Sequence, residues 1–558
     1  MTRLDETMFA CKAVLAVVCL LTINGAKADQ VQTAQAQSTP QSQAPSPAQF
    51  QPQVATQPRV IVPLGTAEEL PVRVTSIQLM GELPPDVPLE DVSAILTEPK
   101  SITRLSQLKA LAQRIEQLIQ SRGYPFTYVL VPDQEIFNGR VRMLAINGKL
   151  NQVVRLQGDS RRLSDERAQD YFRNLIESGG FKRADFERTM LLLNDLPSMD
   201  ARLVLSPGSA PGLIEARLQV EEGPLARWSV NLNNHGAEST GRERLTVNLK
   251  LNNLSGHGDR LSLTASKTSQ NLSASVIEYR TPIGTSGLMA HLTGLYSSFG
   301  VDAGLNALAI KGSTRSTELG LSYPVFLRFG RRLYLEGSTT HRSTGSDIEM
   351  LETLRKSIQV NRLGLRGSVT DQLGAGGVTS VRLSLLDGTV SPKSGFGDLS
   401  RSSFRELTFD VVRSQTLTAR TSLQLSLSGQ RARDALDGSE QMALGGPGAV
   451  RAYEATALFA DQGNLYKAEL THVLDADLNG AGVLRGFAFY DRGVAFLDPM
   501  TGRRNTISGA GGGLSLQRWG HYEIRATYAR RIGAPGVSGL QVDPHRAGQF
   551  WLNLLAFF

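Results

Sequence analysis

The chain has 558 residues, of which 41% are hydrophobic, 6% aromatic and 20% charged, with 54 glycines and a net charge of +7. Lysine and arginine are scattered, and no basic run with interleaved aromatics marks a nucleic-acid surface, so nucleic acid is not an expected partner. Beyond the N-terminal segment no stretch approaches the ~18 uninterrupted apolar residues of a spanning helix, and the glycine content favours many short strands and turns.

Arg3 and Lys12 precede an apolar run from Ala13 to Ile23, and Ala26, Lys27 and Ala28 supply small residues around a cleavage position. Residues 1–28 therefore read as a secretory signal peptide, which predicts export. Both cysteines, Cys11 and Cys19, lie inside it, so the processed chain is expected to carry no thiol, disulfide or cysteine-bound metal. Residues 29–66 read as a disordered Gln/Pro-rich linker, because its uncharged Gln, Ala, Pro and Ser residues bury too little apolar area to offset the entropy of ordering them.

Residues 67–149 predict a strand, a helix and two strands. Val72, Val74 and Ile77 open the first strand; Leu105, Leu108, Leu111, Ala112, Ile115, Leu118 and Ile119 recur on one helical face, and Gly123 stops the helix. Strands follow at Thr127–Val131 and Val141–Ile146, with Asn138-Gly139 as the turn between them. Residues 150–223 predict a second unit of the same kind. It has a strand at Val153, Val154 and Leu156, helices around Tyr171–Ile176 and Phe186–Leu193, and Leu203–Leu205 pairing with Ala216, Leu218 and Val220. Two small α+β domains in tandem are implied.

After Pro224 helical periodicity gives way to alternation. In Leu245–Asn252 the apolar Leu245, Val247, Leu249 and Leu251 interleave with Thr246, Asn248, Lys250 and Asn252. Residues 224–558, at about 20 residues per strand and turn, give on the order of 16 antiparallel strands, an even number suited to a closed transmembrane β-barrel. Closure satisfies every backbone donor and acceptor internally, so strands are able to cross lipid. The chain ends on Phe550, Leu552, Leu554, Ala556 and Phe558 at two-residue spacing, with Trp551 and Phe557 on the opposite face.

Two motifs carry a specific resemblance. Leu444-Gly445-Gly446-Pro447-Gly448-Ala449-Val450-Arg451-Ala452-Tyr453 resembles the sixth-loop motif of the outer-membrane insertase and translocase superfamily, with Ala452 where the family usually has Gly. Gly486, Phe487, Phe489, Asp491 and Gly493 resemble that family's inward-facing strand motif. The resemblance implies a loop folded back into the lumen, with Arg451 meeting Asp491. A guanidinium in a partly dehydrated barrel needs a carboxylate of matching fork geometry. The terminal Trp551, Phe557 and Phe558 resemble the signal read by the barrel-assembly machinery, which makes that machinery an expected partner during biogenesis, alongside outer-membrane lipid.

Within the superfamily the two-partner secretion transporters (TpsB type, haemolysin and adhesin secretion-activation proteins) match best. Arg122-Gly123-Tyr124, Val131-Pro132-Asp133-Gln134 and Gly139 resemble their first POTRA domain, and Leu196-Pro197, Pro207-Gly208 and Gly212 their second. That family implies a pore in the Gram-negative outer membrane, with POTRA domains in the periplasm, that captures an unfolded TpsA-type exoprotein and secretes it. The rival readings are a passive porin-like channel and an outer-membrane protein assembly factor. No enzyme is expected and no cofactor: the seven histidines lack metal-ligand spacing, and Gly509–Gly513 lacks the lysine and helix of a phosphate loop. Packing against the folded loop is the expected role of that glycine run.

Overall fold

The computed structural model describes residues 73–97, 102–155, 162–301, 310–348, 354–394, 402–498, 503–533 and 547–558. The expected signal peptide and linker lie outside the described residues.

The first unit runs β1 (Ser76–Gly81), α1 (Leu89–Thr97), α2 (Leu105–Ser121), β2 (Tyr128–Leu130) and β3 (Arg140–Ile146). Its sheet has the order β1-β3-β2, with β1 parallel and β2 antiparallel to β3. The apolar face of α2 buries Leu108, Leu111, Ala112, Ile115 and Ile119 in one core with Val141, Met143 and Ala145 of β3. Two expectations need correcting. The first strand starts at Ser76, beyond Val74, with the Thr75 N–H donating to Gly139 O at 2.7 Å just ahead of the first pair, Ser76 with Arg140; Val72 lies outside the described residues. Helix α1 was not anticipated, although Pro88 before it and Glu90 and Asp91 in its first turn are start signals.

The second unit runs β4 (Lys149–Arg155), α3 (Asp165–Asp170), α4 (Arg173–Glu177), α5 (Arg183–Asn194), β5 (Met199–Pro207) and β6 (Leu213–Glu222), with the sheet order β4-β6-β5. The expected pairing is present: Leu203 faces Leu218, Leu205 faces Ala216 and Ala201 faces Val220. Around Tyr171 there are two short helices instead of one, with Tyr171 between them. Leu156, placed in the first strand by its spacing, lies outside the described residues.

Only Asn147 and Gly148 separate β3 from β4, so the two units are joined almost without a linker. Phe126 and Phe181 meet edge to face across the junction at 4.9 Å, and Arg183 N–H donates to Gly123 O at 2.9 Å. Lys182 also hydrogen-bonds Asp86, which accepts from the Tyr124 hydroxyl at 3.1 Å. The Lys182 ammonium, and secondarily Tyr124, hold the Asp86 carboxyl below its ordinary 3.8, while Asp86 holds Lys182 above its ordinary 10.5. A carboxylate with a lowered folded-state value stabilises fully above its unfolded value, and that contribution is lost as pH falls through the lowered one; for the raised lysine the loss comes as pH rises. The junction is therefore expected to keep one geometry from mildly acidic to mildly alkaline pH and to loosen only at the two extremes. Small-angle scattering across pH on the full chain and on Lys182→Met checks this; loosening near neutral pH would contradict it.

The remaining strands are β7 (Ala226–Asn233), β8 (Arg244–Asn252), β9 (Arg260–Thr268), β10 (Ser273–Ile283), β11 (Leu288–Val301), β12 (Ile310–Arg328), β13 (Arg331–Ile348), β14 (Leu354–Asp371), β15 (Gly377–Ser394) and β16 (Ser402–Thr418). After them come β17 (Thr421–Ala432), a small hairpin β18 (Met442–Ala443) and β19 (Phe459–Ala460), then β20 (Gly463–Asp475), β21 (Val483–Asp498), β22 (Arg503–Arg518), β23 (Tyr522–Arg531) and β24 (Gly548–Phe557). All but β18 and β19 form one closed antiparallel barrel of 16 strands. Alternation decides the two faces: Leu245, Leu292, Leu319, Leu363 and Leu385 stand exposed on the outside, as a lipid-facing wall requires. Strand β12 has 19 residues, well beyond the ~9–11 that cross a bilayer, so this sector of the wall projects past the lipid.

The barrel closes where β24 meets β7 along only five paired positions, Asn553 with Asn233 through Phe557 with Ser229. Trp228 and Phe558 stack there at 4.1 Å between ring centroids and exchange backbone hydrogen bonds of 3.2 and 2.9 Å.

The second unit is fastened beneath the barrel. Leu327, near the end of β12 and in register with Arg332 of β13, is 2% exposed and belongs to that unit's own hydrophobic core with Phe186, Met190 and Leu193. Around it Arg328 donates to Ala184 O at 2.6 Å, Arg188 donates to Pro324 O at 3.1 Å and Ser286 O at 3.0 Å, and Arg332 and Tyr334 reach Asp195 at 2.8 and 2.9 Å. Gly258 and Gly287 lie against Leu196 and Leu192, where a Cβ would come within 2.7 and 2.5 Å of their methyl groups.

Candidate functional site: a loop latched inside the barrel

The segment between β17 and β20 turns back into the lumen as a self-bonded hairpin. Its stem is the β18–β19 pair, Leu444 N–H donates to Leu458 O at 2.8 Å, and the tip is closed by Gly446 N–H to Tyr453 O at 3.0 Å and Tyr453 N–H to Val450 O at 3.1 Å. Gly446 takes φ +105°, a conformation that favours glycine. Leu444, Val450, Ala452 and Tyr453 are buried in one cluster with Phe487, Phe489 and Ile507 of the wall.

At the tip Arg451, 6% exposed, forks onto the fully buried Asp491: Nε to Oδ2 and Nη2 to Oδ1 are both 2.8 Å, and its backbone N–H adds a third contact at 3.2 Å. Its remaining Nη1 reaches Glu469 of β20, which also accepts from Arg525 of β23 at 2.6 Å. The two guanidiniums lie over aromatic faces, Arg451 over Phe489 at 3.4 Å and Arg525 over Phe487 at 3.7 Å. Trp551 closes the cage by donating its indole N–H to Arg451 O at 2.7 Å, and Lys467 donates to Gly448 O at 3.0 Å. A charge this deeply enclosed is tolerable only because each of the three guanidinium nitrogens has a carboxylate partner.

The structure thus brings Arg451 together with Asp491, Phe489 and Trp551, and sets Val450, Ala452 and Tyr453 around them. Gly493 lies beside the loop: a Cβ there would come within 3.2 Å of both Leu444 and Val450. Gly486 sits at the far end of β21 against Leu474, away from the cage. Phe557 and Phe558 are at the periplasmic seam, 40% and 62% exposed, and do not touch the loop. Ala452 has no positive φ, so the methyl group in place of glycine does not strain the backbone; the space is made by Gly509, where a Cβ would stand 2.5 Å from the Ala452 methyl. The rest of the glycine run serves a different purpose from the one expected: a Cβ on Gly511 or Gly513 would lie 2.0 Å from a carbonyl of β23 and also collide with the Phe489 or Phe487 ring.

Sequence reasoning missed a second anchor. On the loop's stem Asp437 accepts two bonds from Lys356 of β14, at 2.8 and 2.6 Å, and Glu440 pairs with Arg342 of β13 at 2.5 Å. Leu436 packs beside them with Ile358, Val360, Leu386 and Phe404. The tip is therefore held by β20–β24 and the stem by the facing wall, so the loop spans the lumen. Parity would have shown that Lys356 and Arg342 point inward; nothing local shows that the loop crosses to them.

The family model for the haemolysin secretion/activation protein ShlB/FhaC/HecB matches residues 214–516, and the model for the ShlB-type POTRA domain matches residues 72–148. The heme/hemopexin transporter protein HuxB of Haemophilus influenzae (strain 86-028NP) is 27% identical over 513 residues, 88% of each chain. The outer membrane transporter CdiB of Escherichia coli is 24% identical over 471 residues, 81% of this chain and 77% of that one. In fold, the solved CdiB from Escherichia coli superposes with a TM-score of 0.73 at 21% identity, covering 89% of this chain and 93% of that chain.

Proposed function

Because the chain belongs to the haemolysin secretion/activation (ShlB/FhaC/HecB) family, we propose that it captures one unfolded exoprotein in the periplasm and passes it through the barrel to the cell surface. It is an outer-membrane transporter of the two-partner secretion type, with its POTRA units in the periplasm. The carrying observation is the loop anchored to both walls of a closed barrel above a docked POTRA unit. Such a lumen is narrowed by the loop at rest, leaving room for small ions, and clears for a polypeptide only when the anchors part. Arg451, held by Asp491 and Glu469, is the fixed end of that obstruction, with Val450, Ala452 and Tyr453 shaping the tip and Phe487, Phe489 and Gly493 forming its seat.

The cargo in this reading is a TpsA-type exoprotein, taken up as an extended segment that adds to a sheet edge of a POTRA unit through main-chain hydrogen bonds. Outer-membrane lipid covers the apolar outer wall, and Trp551, Phe557 and Phe558 serve as the stretch offered to the barrel-assembly machinery. The chain performs no covalent chemistry on its cargo. Co-expression with a large exoprotein bearing an N-terminal secretion domain is expected to place that exoprotein in the medium only when this chain is present. A chain lacking residues 73–223 should insert without exporting. Export that survives the deletion would favour the passive channel, and general loss of outer-membrane proteins on depletion would favour an assembly factor.

A further inference from the structure

At the periplasmic end of the lumen four cations stand side by side on four consecutive strands. Alternation from the outward Trp228, Leu251, Leu261 and Tyr279 turns Arg227, Lys250, Arg260 and Arg280 to the inside. Arg227 is paired in register with Lys250, Arg260 with Asn252, and Arg260 with Arg280. Arg260 donates to Asn252 Oδ1 at 3.0 Å, and Asn252 in turn donates to Ser198 Oγ of the second POTRA unit and to Pro224 O, both at 3.3 Å. The row therefore begins at the rim where that unit meets the barrel.

Like charges set opposite one another on neighbouring strands destabilise a sheet, so a row of four is costly unless something compensates. The protein supplies little compensation. Glu278 pairs with Arg280 at 2.8 Å, and among the described residues no hydrogen bond or ion pair is present for Arg227 or Lys250. The charges acting on Lys250 are Arg260, Glu278 and Arg227, two cations to one anion. Elsewhere in the wall, Arg366 and Arg382 face each other across β14 and β15, and there each has a carboxylate beside it: Glu336 pairs with Arg366 at 2.6 Å, and Asp410 stands in register with Arg382 on β16. A cation row in a wet channel with low-dielectric walls focuses its field on whatever enters.

We propose that Arg227, Lys250, Arg260 and Arg280 form an entry ladder that receives the carboxylates of an acidic stretch of extended polypeptide as it leaves the second POTRA unit. The ladder deepens the transport reading and rests on it: it assigns the chemical class of segment that enters the lumen first. Binding is electrostatic and without sequence demand, and it weakens with salt.

The test uses the full chain in planar bilayers under a KCl gradient, with polyglutamate or polylysine added on the POTRA side. The expected results are a reversal potential on the chloride side and block by polyglutamate but not polylysine, fading at high salt. Arg227→Gln with Lys250→Gln leaves the Arg260–Asn252 and Arg280–Glu278 contacts in place. It should reduce both effects severalfold, and Lys250→Glu should reduce them further. Unchanged ion preference in a conducting variant, or equal block by both polymers, overturns the ladder alone. A wild-type barrel that conducts under no condition overturns the ladder and the transport reading together.

Discussion

Arg451→Ala is expected to abolish export while the barrel still inserts and closes. The substitution removes every donor that Asp491 receives from the guanidinium, and Asp491 is fully buried on β21. Breaking a buried pair by deleting one partner typically costs about 3–5 kcal/mol, because the surviving charge is left uncompensated. Glu469 keeps Arg525, so the loss falls on the loop tip and not on the wall. The tip then detaches from its seat while the stem stays tied to Lys356 and Arg342, giving a loop tethered at one end in the lumen. Secreted exoprotein in the medium, read together with heat-modifiable electrophoretic mobility of the barrel, checks this. Undiminished secretion would remove the assigned role of Arg451.

Leu327→Asp is expected to uncouple the second α+β unit from the barrel. Leu327 belongs to a barrel strand yet is buried in the core of the neighbouring unit, so the substitution places a carboxylate among Phe186, Met190 and Leu193. An unpaired polar group in such surroundings costs at least ~2 kcal/mol and an unpaired charge far more, so the side chain is expelled and the contact opens. Arg328, Arg188 and Asp195 lose their register with it. Faster proteolysis around residues 184–196 and a strong fall in export, with the barrel intact, are the expected results. Protection equal to that of the unaltered chain would show that the arginine contacts alone hold the unit.

Much of this architecture is legible in the sequence for a physical reason: period-two and period-3.6 burial are local. The strand Leu245–Leu251 declares its lipid face by alternation, and Leu108, Leu111, Ile115 and Ile119 declare a helix face. The Arg451–Asp491 contact is not local, and only the resemblance of two motifs brought those residues together. What stayed hidden depends on three-dimensional placement. The stem anchor joins Asp437 to Lys356 across the lumen, and Leu327 enters another unit's core, neither of which leaves a periodic trace. Helix α1 was overlooked because its nine residues bury only Val92 fully, so its apolar period is faint.

The short seam between β7 and β24 fixes the order of events in making the molecule. Asn231 and Asn553, 322 positions apart in the chain, hydrogen-bond each other at 2.9 Å, and Trp228 rests on the terminal Phe558. No ring exists until β24 has been synthesised, because it is the strand that closes on β7. Pairing over so long a separation is slow, since the entropy of closing the loop precedes the contacts that offset it. Closure of the cylinder therefore follows synthesis of all sixteen of its strands, which makes it post-translational by geometry.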